Sequence, residues 1–470
     1  MDGTGKGHPA TPGNTKRGLA WAWVLGIGAL LVVLIGILAP RPEKEPVWQP
    51  GPKNAPVSRT AAPSLRTPRQ PQSHLHWALP AGVTAEEVVA NKVIQFARNR
   101  REVLHNLAKR LSEEVPAELD RFFDAVEAGH WDKANDLFEA IRNNRTRTEG
   151  MTKLWPAIHE TYGVAEAARM WPPQQLLDYG QAVMGSLRPG MVYVGGTDAG
   201  RFIPTLLNET SEGERHVIIT QNALADGTYL QYVSFLYADR LSTLTQEDSQ
   251  KAFQDYLSDA QKRLQHDQQL PDEPKQLRPG EDVRVAEDRV QVSGQVAVMA
   301  INEKLFQTLM DKNPDVSFAI EQSFPFTSTY SNATPLGPIM ELRVQDEQNS
   351  LTPERAAQSV DYWRAIAQQL LADPEAANSS DARKAYAKMA SEQAALLLNR
   401  KYAAEAEQAF LIAIEISPSN PEAVFRYVNL LMGQNRLGDA IPVVMNAVNL
   451  APENKQFRDL LERMQKIKKN

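Results

Sequence analysis

The longest apolar run lies near the start of the chain. Gly18 to Ala39 reads GLAWAWVLGIGALLVVLIGILA, 22 residues without a charge. As a helix it would be about 33 Å long, enough to cross a hydrocarbon core of about 30 Å. Trp21 and Trp23 sit at one end, where indole rings favour the membrane interface, and Pro40 ends the run. The run is longer than the apolar core of a signal peptide and lacks a small-x-small cleavage site, so it predicts a membrane anchor. The short tail 1–17 carries Lys16-Arg17, which favours a cytoplasmic N-terminus and an exported bulk. Basic residues flank the run on both sides, so the opposite orientation stays open.

The next segment has almost no large apolar positions. Between Pro40 and Pro80 there are ten prolines, and the charge is six basic less two acidic residues, +4. Proline removes a backbone donor and pushes its predecessor toward extended conformations. Residues 40–81 are therefore expected to form a disordered, semi-stiff tether.

Helical periodicity begins at Thr84, with Glu86 and Glu87 in the first turn. Val88, Val89, Val93, Ile94, Phe96 and Ala97 recur at helical spacing, followed by Val103, Leu104, Leu107 and Leu111. Pro116 opens a second helix, Gly129 closes it, and Trp131 to Ile141 marks a third. Residues 82–145 thus read as a helical hairpin region. The stretch AVEAGHWDKANDLFEAI resembles one hairpin of a tetratricopeptide repeat.

Residues 146–347 read as an α/β domain with a mostly parallel sheet. Met191 to Val194 and His216 to Thr220 are short apolar runs typical of buried strands, and each leads through a loop into a helix. Val283-Arg284-Val285 and Val290-Gln291-Val292 alternate around Glu287-Asp288 as a β-hairpin should. Val316 to Ile320 and Pro338 to Arg343 are further expected strands. Ligands bind open α/β sheets beyond the carboxyl ends of the strands, where helix N-termini offer free N–H groups. Thr197, Asp198, Arg201, Asn222 and Asp226 would line such a crevice. The competing reading is structural, with Asp198 and Asp226 as helix caps, Arg201 as a surface ion pair and Gly195-Gly196 as turn formers. Phe324-Pro325-Phe326 could rim the crevice or tuck beneath its loop. The motifs VYVGGTDAGRF, VIITQNALADGTYL, FAIEQSF and LGPIMELR resemble the soluble segment of bacterial multi-pass proteins similar to protein O-mannosyltransferases. That resemblance implies a fold and a cell-surface setting. It carries over no activity, because sugar transfer is expected of the multi-pass part.

Residues 348–470 repeat. Pro418 and Pro452, Ala406 and Ala440, Phe410 and Val444, and Ala413 and Ala447 are each 34 residues apart. Small residues in a second helix and a closing proline at this period resemble the tetratricopeptide repeat. Units at 387–420 and 421–454 follow, with 455–469 as a cap and the helix after Thr352 completing the stack. The resemblance implies a concave groove lined by first helices: Lys388, Ser391, Ala395 and Asn399, then Glu422, Phe425, Asn429 and Met432. Such grooves bind peptides or proteins. The alternative is that so short an array only braces its neighbour.

Composition narrows the chemistry. With no cysteine among 470 residues, disulfides, thiolate catalysis and Cys-ligated metal sites are excluded. The charge, 51 − 57 = −6, gives no reason to expect a nucleic-acid partner. Eight histidines show no motif spacing, and no nucleophile elbow occurs, so no catalytic residue, metal ligand or cofactor is assigned. The chain reads as a single-pass membrane protein of the cell envelope that scaffolds a protein or peptide partner through its repeats. The other reading is a tethered ligand- or sugar-binding module, or an enzyme of envelope glycan metabolism, working through the crevice.

Overall fold

Helix α1 (Ala85–Leu111) starts where the pattern places it. Thr84 Oγ1 accepts the Glu87 N–H at 3.2 Å, and Glu87 returns a carboxylate oxygen to the Thr84 N–H at 2.9 Å. This reciprocal cap satisfies two of the donors that every helix start leaves free. The computed structural model describes residues 76–144, 148–286, 289–322, 326–342 and 350–469. The expected membrane segment 18–39 and most of the tether lie outside these residues. Among the described residues no helix is long and apolar enough to cross a membrane.

The described chain is mostly helical with a small mixed sheet, and it divides into two units. One takes in residues 255–300; the other takes in the described residues up to 254 and from 301 onward. Helices α2 (Ala117–Glu127) and α3 (Trp131–Asn144) form the expected hairpin, turning at Gly129, whose φ of +69° suits glycine. Helices α4 (Glu149–Met170) and α5 (Pro173–Met184) follow. The sequence pattern did not single them out. Both are buried around most of their circumference, so they show no polar face, and Pro156 lies inside α4. Glycines let α6 (Asp198–Glu209) approach them. A Cβ at Gly163 would fall 2.4 Å from the Phe202 ring, and one at Gly180 would fall 2.4 Å from Leu207.

The five-stranded sheet has the order β2 (Val217–Thr220), β1 (Val192–Gly195), β5 (Phe318–Ile320), β7 (Ile339–Leu342), β6 (Ala333–Leu336). Strand β1 pairs in parallel with β2 and β5, while β7 runs antiparallel to both β5 and β6. The sheet is therefore mixed, not mostly parallel. The antiparallel part is a hairpin turning at Gly337-Pro338, with Gly337 at φ +56°. Its edge strand β6 contains Pro335, which only an edge tolerates, and this proline hid the strand from sequence reading. Helix α7 (Gly227–Tyr237) follows β2 after one 3-10 turn.

Helices α8 (Gln246–Gln269) and α9 (Gln295–Lys312) link the two units. In the smaller unit, β3 (Asp282–Ala286) and β4 (Arg289–Ser293) form the expected antiparallel hairpin.

Helices α10 (Pro353–Ala372), α11 (Pro374–Asn378), α12 (Ser380–Asn399), α13 (Ala403–Ile416), α14 (Pro421–Gly433), α15 (Leu437–Leu450) and α16 (Lys455–Lys469) complete the chain. The 34-residue period is built into the backbone. Lys401 and Asn435 both adopt left-handed φ, 69° and 60°. The next residues, Tyr402 and Arg436, donate to Leu397 O and Leu431 O at 2.9 and 2.8 Å. Asn420 and Asn454 receive N–H groups from Ala423 and Gln456 at 3.0 and 2.9 Å, so both cap a helix. Helix α16 thus begins as a third unit would. Ala406, Ala413, Ala440 and Ala447 are fully buried, because a methyl side chain lets paired helices approach closely.

Candidate functional site

The crevice is assembled from the loops after three strands. After β1, Gly195 must be glycine, since a Cβ there would lie 2.7 Å from Gly200 O. Thr197, rather than Asp198, caps α6, its Oγ1 accepting the Gly200 N–H at 2.9 Å. After β5 comes Glu321. Its carboxylate accepts the N–H groups of Gly196 and Thr197, both at 2.8 Å, and the Thr197 hydroxyl at 2.9 Å. These donors, at the positive end of α6, are the ones expected to receive a ligand's anion. In this protein the anion is a side chain of the chain itself. Burial pushes the Glu321 carboxyl above its ordinary range, against the pull of Lys388 and of the Gly196 and Thr197 donors.

After β2, Gln221 Nε2 donates to Glu321 O at 2.7 Å, and Asn222 Nδ2 donates to Gly196 O at 2.5 Å. The three loops are stitched to one another. Of the five residues nominated from sequence, Thr197 and Asn222 lie in this crevice. Asp198 is exposed at the start of α6. Asp226 is an exposed cap of α7, accepting from the N–H groups of Thr228 and Tyr229. Arg201 belongs to a different cluster. It is buried, stands over the Tyr229 ring, and lies 3.4 Å from Glu160. Glu160 also receives Arg100 at 3.0 Å and the Tyr232 hydroxyl at 2.8 Å. Arg201 is thus neither a crevice residue nor a surface ion pair. It balances a buried carboxylate, as interior charges require.

The roof over the crevice is α12, the first helix of the repeat stack. Glu392 Oε2 accepts the Gln322 N–H at 3.3 Å. Gln393 Nε2 donates to Gly337 O and Ile339 O at 2.7 and 2.8 Å, and Arg400 reaches Ser331 O at 2.6 Å. Lys388 Nζ lies 2.8 Å from Glu392 and 2.9 Å from Glu422. Burial works against the Lys388 cation, but Glu392, Glu422 and Glu321 outweigh it and raise its pKa. Burial dominates at Glu392, with Lys388 opposing and Glu321 reinforcing, and its pKa is pushed up to about 7. The crevice and the expected groove therefore meet in one charge cluster.

This contact changes what the groove can offer. Lys388 and Ser391 are buried; the Ser391 hydroxyl donates to Lys388 O at 2.9 Å, and its carbonyl accepts Arg426 Nη1 at 3.3 Å. Their neighbours on the same helix, Glu392 and Gln393, are the residues that bond to Gln322, Gly337 and Ile339 of the sheet layer. Phe425 is half-buried against Phe457 of α16, ring centroids 5.5 Å apart. Asn399 and Asn429 remain exposed, and Met432 is half-buried.

Sequence reasoning missed Glu321, Gln322, Gln221 and Glu392. Glu321-Gln322 directly follows the apolar strand Phe318–Ile320, so the rule that nominated Thr197 and Asn222 reaches it too. Phe326 is tucked against Phe306 at 5.4 Å and does not rim the crevice. A separate polar cavity of about 270 Å³ is lined by Gln307, Met310, Asp311, Ser328, Thr329, Asn332 and Leu342. Among the described residues no group of three His, Asp or Glu side chains could hold a metal ion. Comparison with protein-family models, with curated proteins and with solved structures finds no match to this chain.

Proposed function

We propose that this chain is a membrane-anchored interaction protein, held by residues 18–39 with its bulk on the exported side, whose C-terminal hairpins dock a protein or peptide partner. The observation that carries this reading is the hairpin built twice at a 34-residue interval, down to the left-handed residues Lys401 and Asn435. Arrays of this kind offer extended surfaces for other chains. Because Lys388 and Ser391 are buried, docking falls on the open part, at Asn399, Asn429 and Met432. Leu411 and Met445 add to this reading: they are 34 residues apart and similarly exposed, 47 % and 46 %. A crevice-based activity has less support, since Glu321 occupies the donors that a ligand would use.

The test is cross-linked co-purification of the full chain from membranes, beside Asn429→Arg/Met432→Glu and Leu411→Asp/Met445→Asp variants. Truncation before α12 is unsuitable, because it would strip the roof from the crevice. Specific partners that are lost with either surface variant support a docking role. A partner set unchanged by both, or empty, sinks it.

A further inference from the structure

In the smaller unit, β3 and β4 pair only with each other among the described residues, so each keeps one free edge. The register sets Val283 opposite Val292 and Val285 opposite Val290, which puts all four valines on one face. Val292 is buried, while Val285 is 57 % exposed. The two edges differ in charge. Strand β3 carries Asp282 and Arg284, ion-paired at 2.7 Å. Charges along a free strand keep it hydrated and discourage pairing. Strand β4 carries one charge, Arg289 at its first position, and the run Val290-Gln291-Val292-Ser293 after it has none. It is the less protected edge.

We propose that β4 is a homotypic docking edge through which two copies of this chain join antiparallel about Gln291. In that register Val290 faces Val292 of the second copy, Gln291 faces Gln291, and position 289 faces Ser293. No like charges meet. The same operation on β3 would set Arg284 against Arg284, a destabilising pair. The join would be a four-stranded sheet, more stable than the two-stranded hairpin alone. A pair of five-residue strands buries far less than the about 1,200 Å² of a lasting interface. The association is therefore weak in dilute solution and strengthens as copies are concentrated, as they are if the anchor of the proposed function confines them to one membrane.

The absence of native cysteine gives a direct test, since an introduced thiol is the only one present. Full-length Gln291→Cys and Arg284→Cys are oxidised mildly in detergent across a concentration series, and dimers are read on non-reducing gels. Facing residues of an antiparallel pair lie within disulfide reach. The expected result is at least fivefold more dimer for Gln291→Cys than for Arg284→Cys, although Arg284 is the more exposed of the two. Adding Val290→Lys to Gln291→Cys should remove that excess. Equal dimer from both single variants, no dimer from Gln291→Cys, or no effect of Val290→Lys each overturns the proposal.

Discussion

Glu321 and Gly200 are fitted to each other: a Cβ on residue 200 would lie 2.1 Å from Glu321 Oε2. The carboxylate reaches the Gly196 and Thr197 donors only because that methyl is missing. Gly200→Ala should therefore destabilise the protein by about 1–3 kcal/mol, the usual range for overpacking. Urea midpoints measure this. The cost should shrink in the double variant Gly200→Ala/Glu321→Ser, where the two nearest clashing atoms are gone and only Thr197 Oγ1, at 2.9 Å, remains close. Additive costs would separate the two residues.

The charge cluster beneath α12 predicts a pH response. Glu392 has a folded pKa raised to about 7 from an ordinary 4.5. A carboxyl with a raised folded pKa binds its proton more tightly in the native state. Its contribution is fully present below about 4.5 and is lost as pH rises through about 7. The wild-type protein should thus lose part of its stability between these values, and Glu392→Gln should flatten that slope. Melting temperature against pH for both proteins is the measurement.

Lys388 is the cation closest to Glu392 and Glu422. Lys388→Met leaves the buried carboxyl of Glu392 without it, and removing one member of a buried pair costs about 3–5 kcal/mol. Glu422→Gln should cost much less, because its side chain is 41 % exposed and water replaces the lost partner. Thermal unfolding of the two variants should rank in that order. The reverse ranking would show that Lys388 is held by packing alone.

The repeated turn makes a fourth expectation. Lys401 occupies a left-handed conformation that an L side chain adopts at a cost of about 1–2 kcal/mol. Asparagine tolerates that conformation better, and Asn435 already holds the matching position. Lys401→Asn should raise the denaturation midpoint slightly. Asn435→Val should lower it by about 1 kcal/mol or more, since β-branching resists positive φ.

Much of this architecture is legible in the residues. Thr84 with Glu87, the apolar runs at Val192 and Val217, the valine alternation at 283–292 and the period of 34 each signal an element through a local rule. Helices α4 and α5 are different. They are buried nearly all round, so no polar stripe outlines them. The edge strand at 333–336 carries a proline that local propensity counts against it. The site was half legible. Thr197 and Asn222 follow strands and were found by position. Glu321 follows a strand as well, but its partners Gly196, Gly200 and Lys388 are joined to it only by tertiary folding. Arg201 looked like a crevice residue in sequence because nothing local says that Glu160, 41 positions earlier, awaits its charge.

Helix α12 serves two masters, pairing with α13 in the stack while Glu392, Gln393 and Arg400 tie it to the sheet layer. The two ends of the stack are therefore unequal. A further hairpin cannot be inserted before α12 without breaking those ties. Among the described residues, no hydrogen bond ties α16, which begins at the Asn454 cap, to the sheet layer. If the array is to lengthen or shorten, whether by natural variation or by engineering, the C-terminal end is where it has room to do so.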